Sequence, residues 1–123
     1  MSEDAARIAA LLSALTQPDT TAIRNAEVAL KPILKDARSV PALVEVLKAR
    51  GNQPDAVRHV AAILLRKRIA GHWAKFDIST KTALKTELLA VLANEPERTV
   101  RNGAVGVAAT VCKLEVGDGA GEA

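Results

Sequence analysis

The apolar positions of this chain recur every three or four residues in six separate runs, the period of helices that each bury one face. In the first, Ile8, Leu11, Leu12 and Leu15 share a stripe over about Asp4 to Leu15, and Gln17-Pro18-Asp19 ends it. The second opens at Asp19 or Thr20 and aligns Ile23, Ala26, Leu30, Ile33 and Leu34. Pro32 inside it predicts a kink or a break, because proline removes a backbone bond and crowds the preceding turn. The third runs from Ser39 to Gly51 with Pro41 in its first turn, a matched start and stop, and carries Val40, Leu43, Val44 and Leu47 on its stripe. Pro54 and Asp55 open the fourth, which holds Val57, Val60, Ala61, Leu64 and Leu65 before Gly71. The fifth starts near Ser79 and buries Leu84, Leu88, Val91 and Leu92; the sixth follows Pro96 and extends to about Leu114. No run alternates as a strand would. Residues 117–123, rich in glycine, are expected to form a flexible tail.

Short connections between successive helices favour antiparallel neighbours, and the runs also repeat. Ile23-Arg24-Asn25-Ala26-Glu27, Val57-Arg58-His59-Val60-Ala61 and Val100-Arg101-Asn102-Gly103-Ala104 begin 34 and then 43 residues apart, each after a turn containing Pro18, Pro54 or Pro96. A two-helix repeat of about this length is the signature of HEAT and armadillo arrays. The expected fold is all-α: an α-solenoid of about three HEAT-type antiparallel helix pairs, at about 4–36, 39–71 and 79–114, within one domain over 1–116. Between Val100 and Cys112 the one charged residue is Arg101. A helix apolar nearly all round wants neighbours on several sides, so the sequence reads as the first part of a longer array.

Composition narrows the chemistry. Hydrophobic residues make up 49% of 123, yet the aromatics are one Trp and one Phe, so the core is built from Ala, Leu, Val and Ile. The net charge of +3 suits an acidic partner without demanding nucleic acid. A nucleic-acid module is disfavoured, since 14 acids are interspersed with 17 bases and no aromatics stack on a basic face. Cys112 alone cannot form an internal disulfide, and its neighbours Val107 and Val111 predict a buried thiol. No apolar run approaches the roughly 20 residues of a membrane span, and the start Met1-Ser2-Glu3-Asp4 is acidic where a targeting peptide is basic; a soluble, intracellular protein is expected. His59 and His72 have no acid or Cys at ligand spacing. No metal, cofactor or catalytic constellation is expected, and the chain is read as a binder.

The residues resemble a known family. Leu15-Thr16-Gln17-Pro18-Asp19, Arg24-Asn25-Ala26-Glu27-Val28-Ala29-Leu30, Val57 through Ile69 followed by His72-Trp73, and Val100-Arg101-Asn102 together look like the N-terminal HEAT repeats of the importin-β (karyopherin-β) nuclear transport receptors. The likeness covers about residues 7 to 113, three repeats in register, and is nearest to receptors importing ribosomal proteins and histones. It implies binding of the small GTPase Ran in its GTP form on the concave surface, which releases import cargo in the nucleus. It further implies contact with the Phe-Gly repeats of the nuclear pore, cargo held by later repeats, and shuttling between cytoplasm and nucleus. The alternative is a HEAT scaffold that joins proteins without a GTPase.

Candidate site residues follow from helical geometry. At 100° per residue from the repeated Ile or Val, Asn25, His59 and Asn102 point away from the apolar stripe at one equivalent position, with Arg66 further along. They form either a hydrogen-bonding strip for a partner or plain solvated surface. Arg24, Arg58 and Arg101 flank the stripe and are expected to bridge to acids in neighbouring turns, Glu27 among them, as the forked guanidinium allows. Arg66-Lys67-Arg68 is the densest basic cluster. Cations there complement the helix dipole, and the resemblance places Lys67 where the family has a lysine that meets the GTPase. Trp73 and Phe76 are expected to pack between repeats.

Overall fold

The computed structural model describes residues 1–116 in full and carries the backbone of the last helix to Glu122; the flexible tail expected over 117–123 falls outside the fully described residues. Helices α1 (Glu3–Leu15), α2 (Thr20–Leu34), α3 (Ser39–Lys48), α4 (Asp55–His72), α5 (Ile78–Asn94) and α6 (Arg98–Glu122) follow in order, with a 3-10 turn at Trp73–Lys75. Side-chain caps explain the starts of α1, α2 and α5. Ser2 Oγ accepts the Ala5 N–H at 3.1 Å, Asp19 accepts from Thr21 and Ala22 at 3.0 and 3.1 Å, and Asp77 accepts from Thr80 at 2.7 Å. Gly51 takes a φ of +88° in the turn between α3 and α4, a conformation open to glycine. Pro32 does not break α2, which continues to Leu34. It sits in the last turn on the exposed side, with Val28 four residues earlier also exposed, so the carbonyl it frees lies toward water.

The helices pack as three successive pairs, α1 on α2, α3 on α4 and α5 on α6; α3 touches both α1 and α5 in one layer, while α4 lies along α6 in the other. This is a HEAT-like helical solenoid. Short α3 is the centre: Val40, Leu43, Val44, Val46 and Leu47 are each 0% exposed, because α1, α4 and α5 surround it. Each such side chain contributes about 1.5–3 kcal/mol on burial. Helices α4 and α6 are in close contact, where a Cβ placed on Gly103 would come within 2.7 Å of Ala62 Cβ.

Polar ties between neighbouring pairs have the period of the repeat. Ser2 bonds Glu45, His72 Nε2–H donates to the Leu34 carbonyl at 3.0 Å, Lys48 meets Glu87 and Arg58 meets Glu95, at sequence separations of 43, 38, 39 and 37. One expectation fails: Cys112 is exposed. Val107 and Val111 take the inward positions of α6, and the next residue is turned about 100° away from that face. No helix among the described residues is long and apolar enough to cross a membrane.

Gly103→Ala gains helix propensity of about 1 kcal/mol but forces α6 off α4, an overpacking cost of about 1–3 kcal/mol. The urea midpoint should fall. Gly106→Ala, whose added carbon would meet Arg66 Cδ at an ordinary 3.4 Å, should leave the midpoint unchanged or raise it.

Candidate functional site

Arg66 and Lys67 of α4 and Asn102 of α6 line one open groove of about 430 Å³ between the two helices, floored by Ala62, Gly103 and Gly106. The register that sets Ala62 against Gly103 also sets Arg66 against Gly106, whose added Cβ would lie 3.4 Å from Arg66 Cδ and 3.6 Å from its Nη1. The Arg66 side chain is thus laid across the glycine backbone of α6. Arg66 and Lys67 are exposed, and neither has a hydrogen bond or ion pair among the described residues. Helix α4 holds a single acid, Asp55, at its first position, and α6 has none before Glu115, so nothing on either helix neutralises these cations near the groove.

The other strip residues are placed differently. His59 is half-buried on α4, with its Nδ1 buried and without a partner. Asn25 is exposed on α2 and does not line the groove. A second concavity of about 350 Å³, between α1 and the α2–α3 turn, is lined by Asp4, Arg7, Asp36 and Arg38. There the charges answer one another: Arg38 bonds Asp36 at 2.8 Å, and these hydrogen bonds lower the Asp36 carboxyl to about 2.

The three repeated arginines divide. Arg58 is 1% exposed. Its Nε donates to the Leu47 carbonyl at 3.0 Å and its Nη1 to Asp55 and to Glu95 Oε2, each at 3.2 Å, while Nη2 donates to Glu95 Oε1. Arg101 Nη1 donates to the Glu95 backbone carbonyl at 3.3 Å and Arg50 Nη1 to that of Asn94 at 3.2 Å, so cations meet the unpaired carbonyls at the end of α5. Arg24 is exposed and makes no such bridge among the described residues. Glu95 is the participant that helix periodicity missed, because it lies on a loop a full repeat away from its partner. A signal existed: the residues before the three turn prolines are Gln17, Gln53 and Glu95. Arg58 faces an acid at the next repeat's position, whereas Arg24 would face the neutral Gln53.

Burial alone would raise the Glu95 carboxyl, yet the hydrogen bonds from Arg58 and the Glu97 N–H, with the charges of Arg58 and Arg50, hold it below the usual carboxylate range. Trp73 is 1% exposed in the 3-10 turn; its ring meets Phe76 edge-to-face at 6.4 Å and 85°, and Lys81 Nζ lies 5.7 Å from its centroid. Both aromatics belong to the core where α4 passes to α5. Among the described residues no group of three His, Cys, Asp or Glu could hold a metal ion.

A stack of three helix pairs joined by buried polar ties defines a HEAT-like helical solenoid. Residues 26–94 match the Importin-beta N-terminal domain, and the chain belongs to that family. It is 30% identical to importin-4 of Mus musculus over 105 residues, covering 85% of this chain and 10% of that protein. Importin-4 of Homo sapiens matches at 30% over 112 residues, 91% of this chain and 10% of the relative. The probable importin subunit beta-4 of Schizosaccharomyces pombe matches at 33% over 103 residues, 83% and 10%. The chain therefore spans about a tenth of the length of the curated relatives it matches.

Arg58→Ala leaves the Glu95 carboxylate buried and unpaired, a loss of about 3–5 kcal/mol that chemical denaturation should register. Because folding lowers the Glu95 carboxyl, its contribution is complete above the ordinary Glu value of about 4.3. It is lost as pH falls through the folded value. Wild-type stability should accordingly drop more steeply below about pH 4 than that of Glu95→Gln, measured as urea midpoints across an acid series.

Proposed function

We propose that this chain is the N-terminal, Ran-facing part of an importin-β-like receptor for nuclear import of proteins, organised as a repeat domain over about 1–116. The observation that carries this reading is the Arg66–Lys67 pair, uncompensated and open on the groove, at the place where the family resemblance sets a GTPase-contacting lysine. The pair lies inside the matched segment 26–94. In this reading Asn102 adds a hydrogen-bonding group to the same wall, Asn25 and His59 extend the contact along the second helices, and Arg58 with Glu95 fixes the helices that bear them. The receptor shuttles between cytoplasm and nucleus, meets Phe-Gly repeats of the pore on its outer side and holds cargo on later repeats. The activity is binding without chemistry.

Immobilised chain should retain Ran loaded with GTP and not Ran loaded with GDP. Arg66→Glu with Lys67→Glu should weaken that retention at least tenfold with unchanged helical circular dichroism, and rising salt should weaken the wild-type contact because it is partly ionic. Equal retention of both nucleotide forms, or of neither, would overturn the assignment.

A further inference from the structure

The geometry points to a second kind of ligand for the α4–α6 groove: an extended acidic peptide segment, with acids at alternate positions and small residues between them. The inference goes beyond the GTPase reading and does not depend on it. Four observations carry it. First, the groove is open, about 430 Å³, and follows the helices from Asn102 to Thr110, a run of about 12 Å at 1.5 Å per residue, which about four extended residues span at roughly 3.3 Å each. Second, its width is fixed from beneath, since Ala62 and Gly103 already approach as closely as side-chain carbon allows. An extended segment is slimmer than a partner helix about 10 Å across and is the occupant proposed. Third, the two walls differ. The α4 wall carries Ile63, Ala70 and the cations Arg66 and Lys67, both without an acidic partner among the described residues, and the α6 wall carries Asn102, Gly103, Gly106 and Thr110, with no charge. Fourth, in an extended chain successive side chains point to opposite sides. A segment lying in the groove would turn every second residue toward the cations and the intervening ones toward the α6 side, where Gly103 meets Ala62 and Gly106 is covered by Arg66, so that a small side chain fits best. The charge pattern and the size pattern therefore fall on alternate residues of one ligand.

The test is fluorescence anisotropy of the full chain with labelled eight-residue peptides of alternating Glu and Ala, alternating Lys and Ala, and alternating Ser and Ala. The Glu–Ala peptide should bind at least tenfold more tightly than either of the others. Two variants separate a groove from a diffuse positive surface. Arg66→Gln with Lys67→Gln removes the charge on an exposed face and should weaken Glu–Ala binding at least tenfold. Asn102→Leu keeps both cations but fills the groove from its exposed α6 side, and should weaken it at least fivefold. Circular dichroism of each variant should match the wild type, and should Asn102→Leu lose helix, Thr110→Leu at the other end of the groove serves in its place with the same fivefold expectation. Equal binding of the Ser–Ala peptide, undiminished binding by the groove-filled variant, or tighter binding of an oligonucleotide of eight uridines would each overturn the inference. Loss of Ran binding with Glu–Ala binding intact would sink the GTPase reading alone.

Discussion

The guanidinium of Arg58 is withdrawn from water at a cost of several kcal/mol, and the stack is arranged so that this cost is offset. Its acceptors come from the end of α3, the start of α4 and the residue that caps α5. Three helices are thereby referred to one planar group with fixed donor directions. The same Glu95 that receives Arg58 also accepts the Glu97 N–H just ahead of α6, and its carbonyl is held by Arg101 from inside α6. The placement of α6 beside α4 thus depends on a buried ion pair that belongs to neither helix's contact face. Apolar burial supplies the bulk of the stability, and the pair sits where α5 ends and α6 begins.

The groove is a consequence of that placement together with an uneven distribution of charge. Several acids of this chain are engaged in the first helices and at helix ends: Glu45, Glu87, Glu95 and Glu97 all serve there. The second helices α4 and α6 keep their cations without acids of their own beyond Asp55, ahead of Glu115. Electropositive character therefore collects on one side of the stack even though the chain as a whole carries only a small net charge. Small residues at the α4–α6 contact make the same side concave at atomic scale, so that charge and shape coincide at Arg66.

Much of this was legible in the sequence, for identifiable reasons. Prolines, Gly51 and the capping aspartate Asp19 punctuate the chain where the helices start and stop, because they act through backbone rules that hold without tertiary context. The pairing order followed from the repeated Ile-Arg or Val-Arg dipeptides. Legibility failed where an outcome depended on what a residue meets a whole repeat away. The three arginines look alike along the chain, yet Arg58 is buried against Glu95 while Arg24 stays exposed. Cys112 read as buried from its two valine neighbours, while a single step of rotation put it in solvent. Asn25 shares a helical position with Asn102, but Asn102 lines the groove between α4 and α6 and Asn25 does not.

The ties that span one repeat also bear on the order in which this molecule can be made. The cap of α1 is completed by Glu45, the last turn of α2 by His72, and the charge of Arg58 by Glu95, in each case about forty residues further along the chain. As the chain is made, these ties become available only once the next pair has been added, so each pair reaches its full set of polar contacts about one repeat late.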